Sequence, residues 1–423
     1  MKSVKINNNI RISYIPMTKL KTTSVGVYIH RPLVEKDASF NALLPMVLKH
    51  ASKKYPSRED IAKHLDNLYG ATMGATTIKL GEDQVIYFDA ETISDKYTPD
   101  GEKLLSALLE LLMSVIFEPL TVNGAFDKTI FEQEKKDAIE RIDAFVNDKR
   151  QYASTRCQSE TARGTNFALL RLGDKETIEN ITESELYNYY KSVISSSVID
   201  IYICGDADIS EAEIVIKKHI DKLEFEDAQL PKTEIISRNI SEINKVSESM
   251  DVTQGKLSLG FLTHTSAISD DFTTLVVFNS VFGAGAHSKL FNNVREKLSL
   301  AYYASSSLEK YKGMLIVNAG IEFENYQKAY DEILAQLEEI KNGNITEHEF
   351  KSSINTLINS YKSYYDDQRA LATFYMSELV AGSNHTIDEL IEGIKKVTVE
   401  DVIKIAHKIE LDTVYFLKGK EDR

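Results

Sequence analysis

Residues 181 to 186 read I-T-E-S-E-L and residues 198 to 205 read V-I-D-I-Y-I-C-G, a capped helix start followed by a strand that closes on glycine. Thr182 and Glu185 have the Thr-x-x-acid spacing of a capping box, in which each side chain satisfies the other residue's free backbone N–H. The same order returns near the C-terminus, where V-T-V-E-D-V (397 to 402) carries Thr398 with Asp401 and T-V-Y-F-L-K-G (413 to 419) closes on glycine. Working outward, the strand-like D-Q-V-I-Y-F-D-A (83 to 90) precedes a helical run from Glu102 to Ile116, and G-M-L-I-V-N-A-G (313 to 320) precedes one from Tyr326 to Ile340. N-D-K-R…S-E-T-A-R-G (147 to 164) has its counterpart in D-D-Q-R…S-E-L-V-A-G (366 to 382). Matches that recur in one order read as an internal duplication, which predicts two homologous domains.

Short alternating runs such as S-V-G-V-Y-I (24 to 29) and K-L-S-L-G-F-L (256 to 262) suit a sheet with one covered face. Long helical patterns lie between the strands without strictly alternating with them. The expected class is therefore α+β, each domain a mainly antiparallel sheet covered by helices. At 423 residues the chain exceeds the size of a single hydrophobic core, so two domains of roughly 200 residues are expected. The acidic, proline-containing F-E-D-A-Q-L-P-K-T (225 to 233) marks a linker at about 225–234, between domains 1–225 and 235–423.

Bulk chemistry narrows the function. A net charge of −14 without a basic stripe argues against nucleic-acid and anionic-membrane partners, which need clustered Lys and Arg. Cys157 and Cys204 read as reduced thiols in a helix and a buried strand. M-K-S-V-K-I-N-N-N-I-R carries no apolar signal core, and no run reaches the ~18 apolar residues of a membrane span, so a cytoplasmic location is expected. G-A-G-A-H-S-K (283 to 289) fails the phosphate-loop spacing, its lysine being followed by Leu290, and no Gly-x-Ser-x-Gly elbow is present.

F-N-N-V-R-E-K-L-S-L-A-Y-Y (291 to 303) places Arg295 seven residues before Tyr302, just after the turn V-F-G-A-G-A-H (281 to 287). With the preceding H-S-K it resembles the S-S-R-L-F-x-x-x-R-E-K-x-G-L-A-Y motif of the pitrilysin, insulinase and mitochondrial processing peptidase family. The resemblance covers nearly the whole chain and implies one half of a metallopeptidase clamshell. The family carries His-x-x-Glu-His on a helix, two imidazoles holding zinc and a glutamate acting as base. Aligned on S-K-K-Y-P-S (52 to 57), those positions are Asn41, Leu44 and Pro45, and the third ligand position, in E-Q-E-K-K-D-A-I-E-R-I (132 to 142), is Arg141. Leu44 cannot take a proton, Pro45 has no ligating atom, a lone Asn amide binds zinc poorly, and a guanidinium repels a cation. Pro45 is also expected to disturb the helix at the Asn41 carbonyl. Glu134, a supporting acid in the family, reads as a solvated charge. His50, His64, His264 and His287 read as surface or core histidines, and His348 lies in the first turn of a helix capped by Thr346 and Glu349.

What the resemblance implies for Arg295 and Tyr302 is a substrate grip. The guanidinium would hold peptide carbonyl oxygens and the hydroxyl would donate to the oxyanion at the scissile carbonyl. The opposing reading pairs Arg295 with Glu296 and makes Tyr302 one of 21 tyrosines packing a sheet. Ser299 stands where the family has glycine. Gly283 and Gly285 either line a chamber or simply make the turn. The expected role is a non-catalytic, substrate-binding subunit of a heteromeric zinc metallopeptidase acting on peptides, binding no cofactor itself, with zinc held by a homologous partner. A structural or assembly subunit is the alternative, and a homodimer of the isolated chain is left open. The resemblance points to the family's non-catalytic subunit branch, so no peptidase activity is expected of the chain alone.

Overall fold

The computed structural model describes residues 1–221 and 223–420. Strands β1 (Lys2–Lys5), β2 (Ile10–Pro16), β3 (Thr22–Pro32), β4 (Thr72–Leu80) and β5 (Asp83–Ile93) belong to a first sheet. A short hairpin, β6 (Thr121–Val122) and β7 (Ala125–Phe126), precedes its last strand, β8 (Val198–Gly205). The order is β1-β2-β8-β3-β5-β4. A second sheet holds β9 (Asn244–Met250), β10 (Gly255–Leu262), β11 (Ala301–Glu309), β12 (Met314–Ile321) and β13 (Glu410–Gly419). Its order is β11-β12-β10-β13-β9. Read from β9, this is the path β2-β8-β3-β5-β4 repeated. In each sheet the first pair on that path is parallel and the rest are antiparallel. The duplication is thus topological, and the α+β class with mainly antiparallel sheets holds.

Helix boundaries follow the capping chemistry. Thr182 accepts from Glu185 N–H at 3.3 Å while Glu185 accepts from Thr182 N–H at 2.9 Å, opening the helix Glu183–Ser196. Thr398 and Asp401 do the same for Val399–Ala406. Thr346 with Glu349 and Thr386 with Glu389 cap Glu347–Ser363 and Ile387–Lys396 in the same way. Helix Ile387–Lys396 holds the place that helix Lys175–Asn180 has before Glu183–Ser196, where Asp174 accepting from Thr177 N–H is the cap, so no Thr-x-x-acid spacing marks the pair.

One expectation fails. Thr23 to Arg31 of β3 are all buried, as are Leu257 to Leu262 of β10, so both central strands are covered on two faces. Helices Glu35–Leu48, Leu104–Phe117 and Glu183–Ser196 supply part of the first sheet's apolar cover. Further cover comes from far along the chain. On the first sheet, Gln368 of helix Gln368–Ala381 donates to the Thr22 carbonyl at 2.7 Å, and Thr373 bonds the Tyr28 hydroxyl at 3.2 Å. On the second, Ala153 and Cys157 of helix Lys149–Thr161 pack with Ile316, Tyr415 and Leu417. The arginines of the duplicated D-x-R motifs meet their respective sheets. Arg369 lies 3.1 Å from Asp89 and 3.3 Å from Glu91, and Arg150 stacks 4.1 Å above the Tyr303 ring.

Compactness consequently divides the chain into discontinuous units. The first comprises 1–143, 169–232 and 364–380, and the second 144–168, 233–363 and the residues from 381 onward. Both cysteines are buried free thiols, and burial pushes each up to about 12. Among the described residues no helix is long and apolar enough to cross a membrane.

Candidate substrate site and the former metal position

The helix Glu35–Leu48 carries Asn41, Leu44 and Pro45, all buried. Proline at position 45 removes the N–H that would bond the Asn41 carbonyl four residues earlier. The helix nonetheless continues to Leu48, because Thr77 Oγ1 on β4 donates to that carbonyl at 2.9 Å. The backbone bond at the Asn41 carbonyl is lost, as expected of Pro45, and a side chain replaces the backbone donor without ending the helix. Asn41 itself is fully committed. Its Nδ2 donates to Gln84 at 2.9 Å and its Oδ1 accepts from Tyr189 at 2.7 Å, tying helix, strand and the Glu183–Ser196 helix together. Leu44 lies in the apolar core.

Arg141 projects from helix Lys128–Phe145 with its side chain exposed. On the same helix Glu134 is 1% exposed, bonded to His50 Nδ1 at 2.9 Å and to the Arg58 guanidinium. The expectation of a solvated Glu134 is wrong. A buried carboxylate needs compensating donors, and here His50 and Arg58 supply them from outside the motif.

The second half presents a different surface. Residues Leu290–Lys297 wind as a π-helix, a form concentrated at functional sites. The coil ends when Leu300 N–H returns to the Val294 carbonyl at 2.9 Å, six residues back, with the intervening Ser299 in the left-handed region, where φ is 50°. Arg295, 42% exposed, lies over the Phe291 ring at 4.6 Å, with its Nε 3.4 Å from Glu296. That neighbour is the one the non-functional reading named, yet an exposed contact of this kind is worth only about 0–1 kcal/mol and holds the guanidinium weakly. The chain then enters β11. Its register slips between Ala301 and Tyr303, opposite Ile321 and Gly320, so Tyr302 is the extra residue of a β-bulge. Bulges re-aim a side chain, and Tyr302 stands 55% exposed with its hydroxyl donating to Glu322. Tyr302 is not packing filler. That hydrogen bond raises the phenol above its ordinary range.

The description "Peptidase M16 inactive domain" matches residues 180–357. A probable inactive metalloprotease of Bacillus subtilis (strain 168), YmfF, is 35% identical over 412 residues, covering 95% of this chain and 94% of that protein. The chain belongs to the M16 peptidase family. An uncharacterized zinc protease of the same bacterium, YmxG, is 22% identical over 416 residues, covering 97% of this chain and 95% of its own length. The crystal structure of a conserved protein from Enterococcus faecalis V583 matches with a TM-score of 0.91 at 29% identity, over 100% of this chain and 99% of that one.

In this M16 chain the residues at the zinc position do not fit a metal. Asn41 has spent its amide, Leu44 and Pro45 offer no donor, and Arg141 brings a positive charge. The chain is an inactive M16 homologue. Gly283 and Gly285 are each required by geometry. A Cβ at Gly283 would lie 2.4 Å from Ser306 Oγ, and the Gly283 carbonyl accepts from Ser306 N–H at 3.1 Å, docking the turn on β11. Gly285 has φ of 136°, open essentially to glycine alone. Lys289, buried, binds Glu349 at 3.2 Å, anchoring the turn to helix Glu347–Ser363. Glu349 also caps that helix with Thr346, as the Thr-x-x-Glu spacing predicts, and its bond to Lys289 is a second role no local pattern signals.

Ser299 holds φ of 50°, and the left-handed conformation costs a non-glycine residue roughly 1–2 kcal/mol. Allowing for the greater unfolded-state entropy of glycine, Ser299→Gly is expected to stabilise the protein by about 0.5–1 kcal/mol. A guanidinium unfolding curve checks this. No rise in midpoint would show that the turn relaxes around serine.

Proposed function

We propose that this chain is a non-catalytic, substrate-binding subunit that completes the active site of a zinc-bearing M16 partner acting on peptides. One observation carries the reading: Arg295 and Tyr302 are presented to solvent by a π-helix and a bulge, in a chain whose own metal position is filled with hydrogen bonds and apolar packing. A purely structural subunit has no need of an exposed arginine and a bulge-mounted tyrosine hydroxyl. Support also comes from Bacillus subtilis, in which relatives described as inactive and as a zinc protease both match nearly the full chain. In this role Arg295 would hold substrate carbonyl oxygens by charge-assisted hydrogen bonds. Tyr302, released from Glu322, would donate to the oxyanion at the scissile carbonyl. Zinc would be held by the partner and would polarise that carbonyl and activate water.

The test mixes the chain with its zinc-bearing homologue and follows cleavage of a quenched peptide. The wild-type chain is expected to raise the rate, and Arg295→Ala and Tyr302→Phe to reduce it roughly tenfold or more, the scale of one charge-assisted hydrogen bond. Equal activity with both variants sinks the shared-site reading.

A further inference from the structure

The duplicated arginines, Arg369 and Arg150, meet opposite surroundings. On the first sheet two rows of paired residues cross β3, β5 and β4: Ser24, Glu91 and Thr72 in one, Gly26, Asp89 and Gly74 in the next. Arg369 bonds Thr72 at 3.0 Å and pairs with both carboxylates, Asp89 at 3.1 Å and Glu91 at 3.3 Å. The matching rows of the second sheet, across β10, β12 and β11, are Lys256, Gly320 and Tyr303, then Ser258, Asn318 and Ser305. Arg150 fixes the match, because it stacks on Tyr303 as Arg369 bonds Thr72, and Ser154, one turn further along its helix, accepts from Asn318 at 3.1 Å. Both carboxylates are thus replaced, by a glycine and an amide, and a lysine stands where the first sheet has Ser24. The Tyr303 ring lies over Gly320, where a Cβ would come within 2.4 Å of it, and so carries Arg150 above the row that Lys256 shares. Stacked on that ring, the guanidinium keeps its N–H edge open to a partner in its own plane. Among the described residues Arg150 makes no hydrogen bond or ion pair, and the Lys256 ammonium bonds only the Gln254 side chain, at 3.3 Å. Burial and then the charge of Arg150 hold Lys256 below the usual lysine range, against the pull of Glu322. The acids in this field are engaged elsewhere: Asp148 accepts from Gln151 N–H at 3.0 Å, and Glu322 accepts from the Tyr302 hydroxyl.

We propose that Arg150 and Lys256 form a subsite for a carboxylate of a bound peptide, which supplies the charge that Asp89 and Glu91 supply to Arg369 within the chain. A carboxylate matches the guanidinium fork in plane and charge. That the carboxylate belongs to a peptide rests on the function proposed above, since Tyr302 directly precedes Tyr303 and Gln254 links Lys256 to the Tyr302 hydroxyl. Peptides with a carboxylate close to the cleaved bond, on an acidic side chain or at a C-terminus, are the class this subsite selects.

Titration calorimetry on the isolated full-length chain tests this with three N-acetylated peptides of one otherwise uncharged sequence. The first has a central Glu and an amidated C-terminus, the second a central Gln and a free C-terminal acid, and the third a central Gln and an amide. A carboxylate-bearing peptide is expected to bind roughly tenfold or more tightly than the uncharged one, and whichever of the two does so names the source. Arg150→Gln deletes no hydrogen bond or ion pair among the described residues, and it and Lys256→Gln are each expected to reduce the preference. Asn318→Asp is expected to abolish it by giving Arg150 the internal partner that Asp89 gives Arg369, while the Ser154 and Ser258 hydroxyls both still bond the side chain. Equal affinity of the three peptides, absence of binding, or a preference that survives both neutralising variants overturns the subsite. No cleavage or partner enters this readout, so its failure leaves the Arg295 and Tyr302 test standing, and a carboxylate preference that persists where that test fails leaves the subsite standing.

Discussion

Replacing His30 with leucine is expected to lower the unfolding free energy of the protein by about 3–5 kcal/mol, because it strands two buried carboxylates. His30 on β3 is 2% exposed. Its Nδ1 lies 2.5 Å from Asp83 on β5, and its Nε2 lies 3.3 Å from Asp200 on β8 without hydrogen-bond alignment. Asp200 in turn takes Arg11 of β2 at 2.6 Å. Charge therefore alternates across four neighbouring strands. Burial alone would push the imidazolium down, but Asp83 and then Asp200 outweigh it and raise His30 from 6.5 to about 9. A group whose folded-state pKa is raised contributes stability that is complete below its unfolded value and fades as pH rises through the folded one. The wild type is thus expected to lose on the order of 3 kcal/mol between about pH 6.5 and pH 9. In His30→Leu the slope reverses on the acid side, since the uncompensated carboxylates are relieved by taking up protons. Urea unfolding at several pH values measures both, and a flat wild-type profile across that window would refute the charged His30.

The second large effect is expected at Asp412. This residue of β13 is fully buried and accepts from Arg163 at 2.6 Å, from Arg238 Nε and Nη2 at 2.8 Å each, and from Thr413 at 2.7 Å. Asp412→Ala leaves two arginines facing each other across an apolar gap, a loss of about 3 kcal/mol. The low end of the range for a broken buried pair applies because Arg163 is 38% and Arg238 23% exposed, so both keep part of their hydration. Burial tends to raise the carboxyl, but Arg238 and Arg163 prevail and hold it below the ordinary carboxylate range. Its contribution is accordingly present above the ordinary value and lost as pH falls through the depressed one. Thermal denaturation at neutral pH and near pH 3 checks the sign. Equal losses in Asp412→Ala at both would mean that the aspartate acts through packing rather than charge.

Much of this fold was legible because duplication and capping are local signals. The Thr-x-x-acid boxes, the paired strands ending at Gly205 and Gly419, and the helical runs fall within a few residues of the observed elements. The two-faced burial of β3 and β10 was not legible, because the covering helices Gln368–Ala381 and Lys149–Thr161 lie far away in sequence. Glu134 was misread for a related reason: its partners His50 and Arg58 belong to another helix and loop, which no periodicity connects. At the candidate site the residue types could be read but not their presentation. Nothing in L-A-Y-Y announces that Tyr302 occupies a bulge, and Asn41 gave no sign of joining Gln84 and Tyr189.

The exchange of helical segments between the two units also bears on how the chain is made. Synthesis delivers β1 to β8 within the first 205 residues, yet the helix that covers one face of their sheet begins at Gln368. A nascent chain emerging from a ribosome therefore carries an incomplete first unit until Gln368–Ala381 has been made, with Tyr28 and the Thr22 carbonyl lacking their native partners. Emergence of Gln368–Ala381, rather than of β8, sets the moment at which the first unit can close. A fragment ending at Thr233 would present an unfinished sheet instead of an autonomous domain.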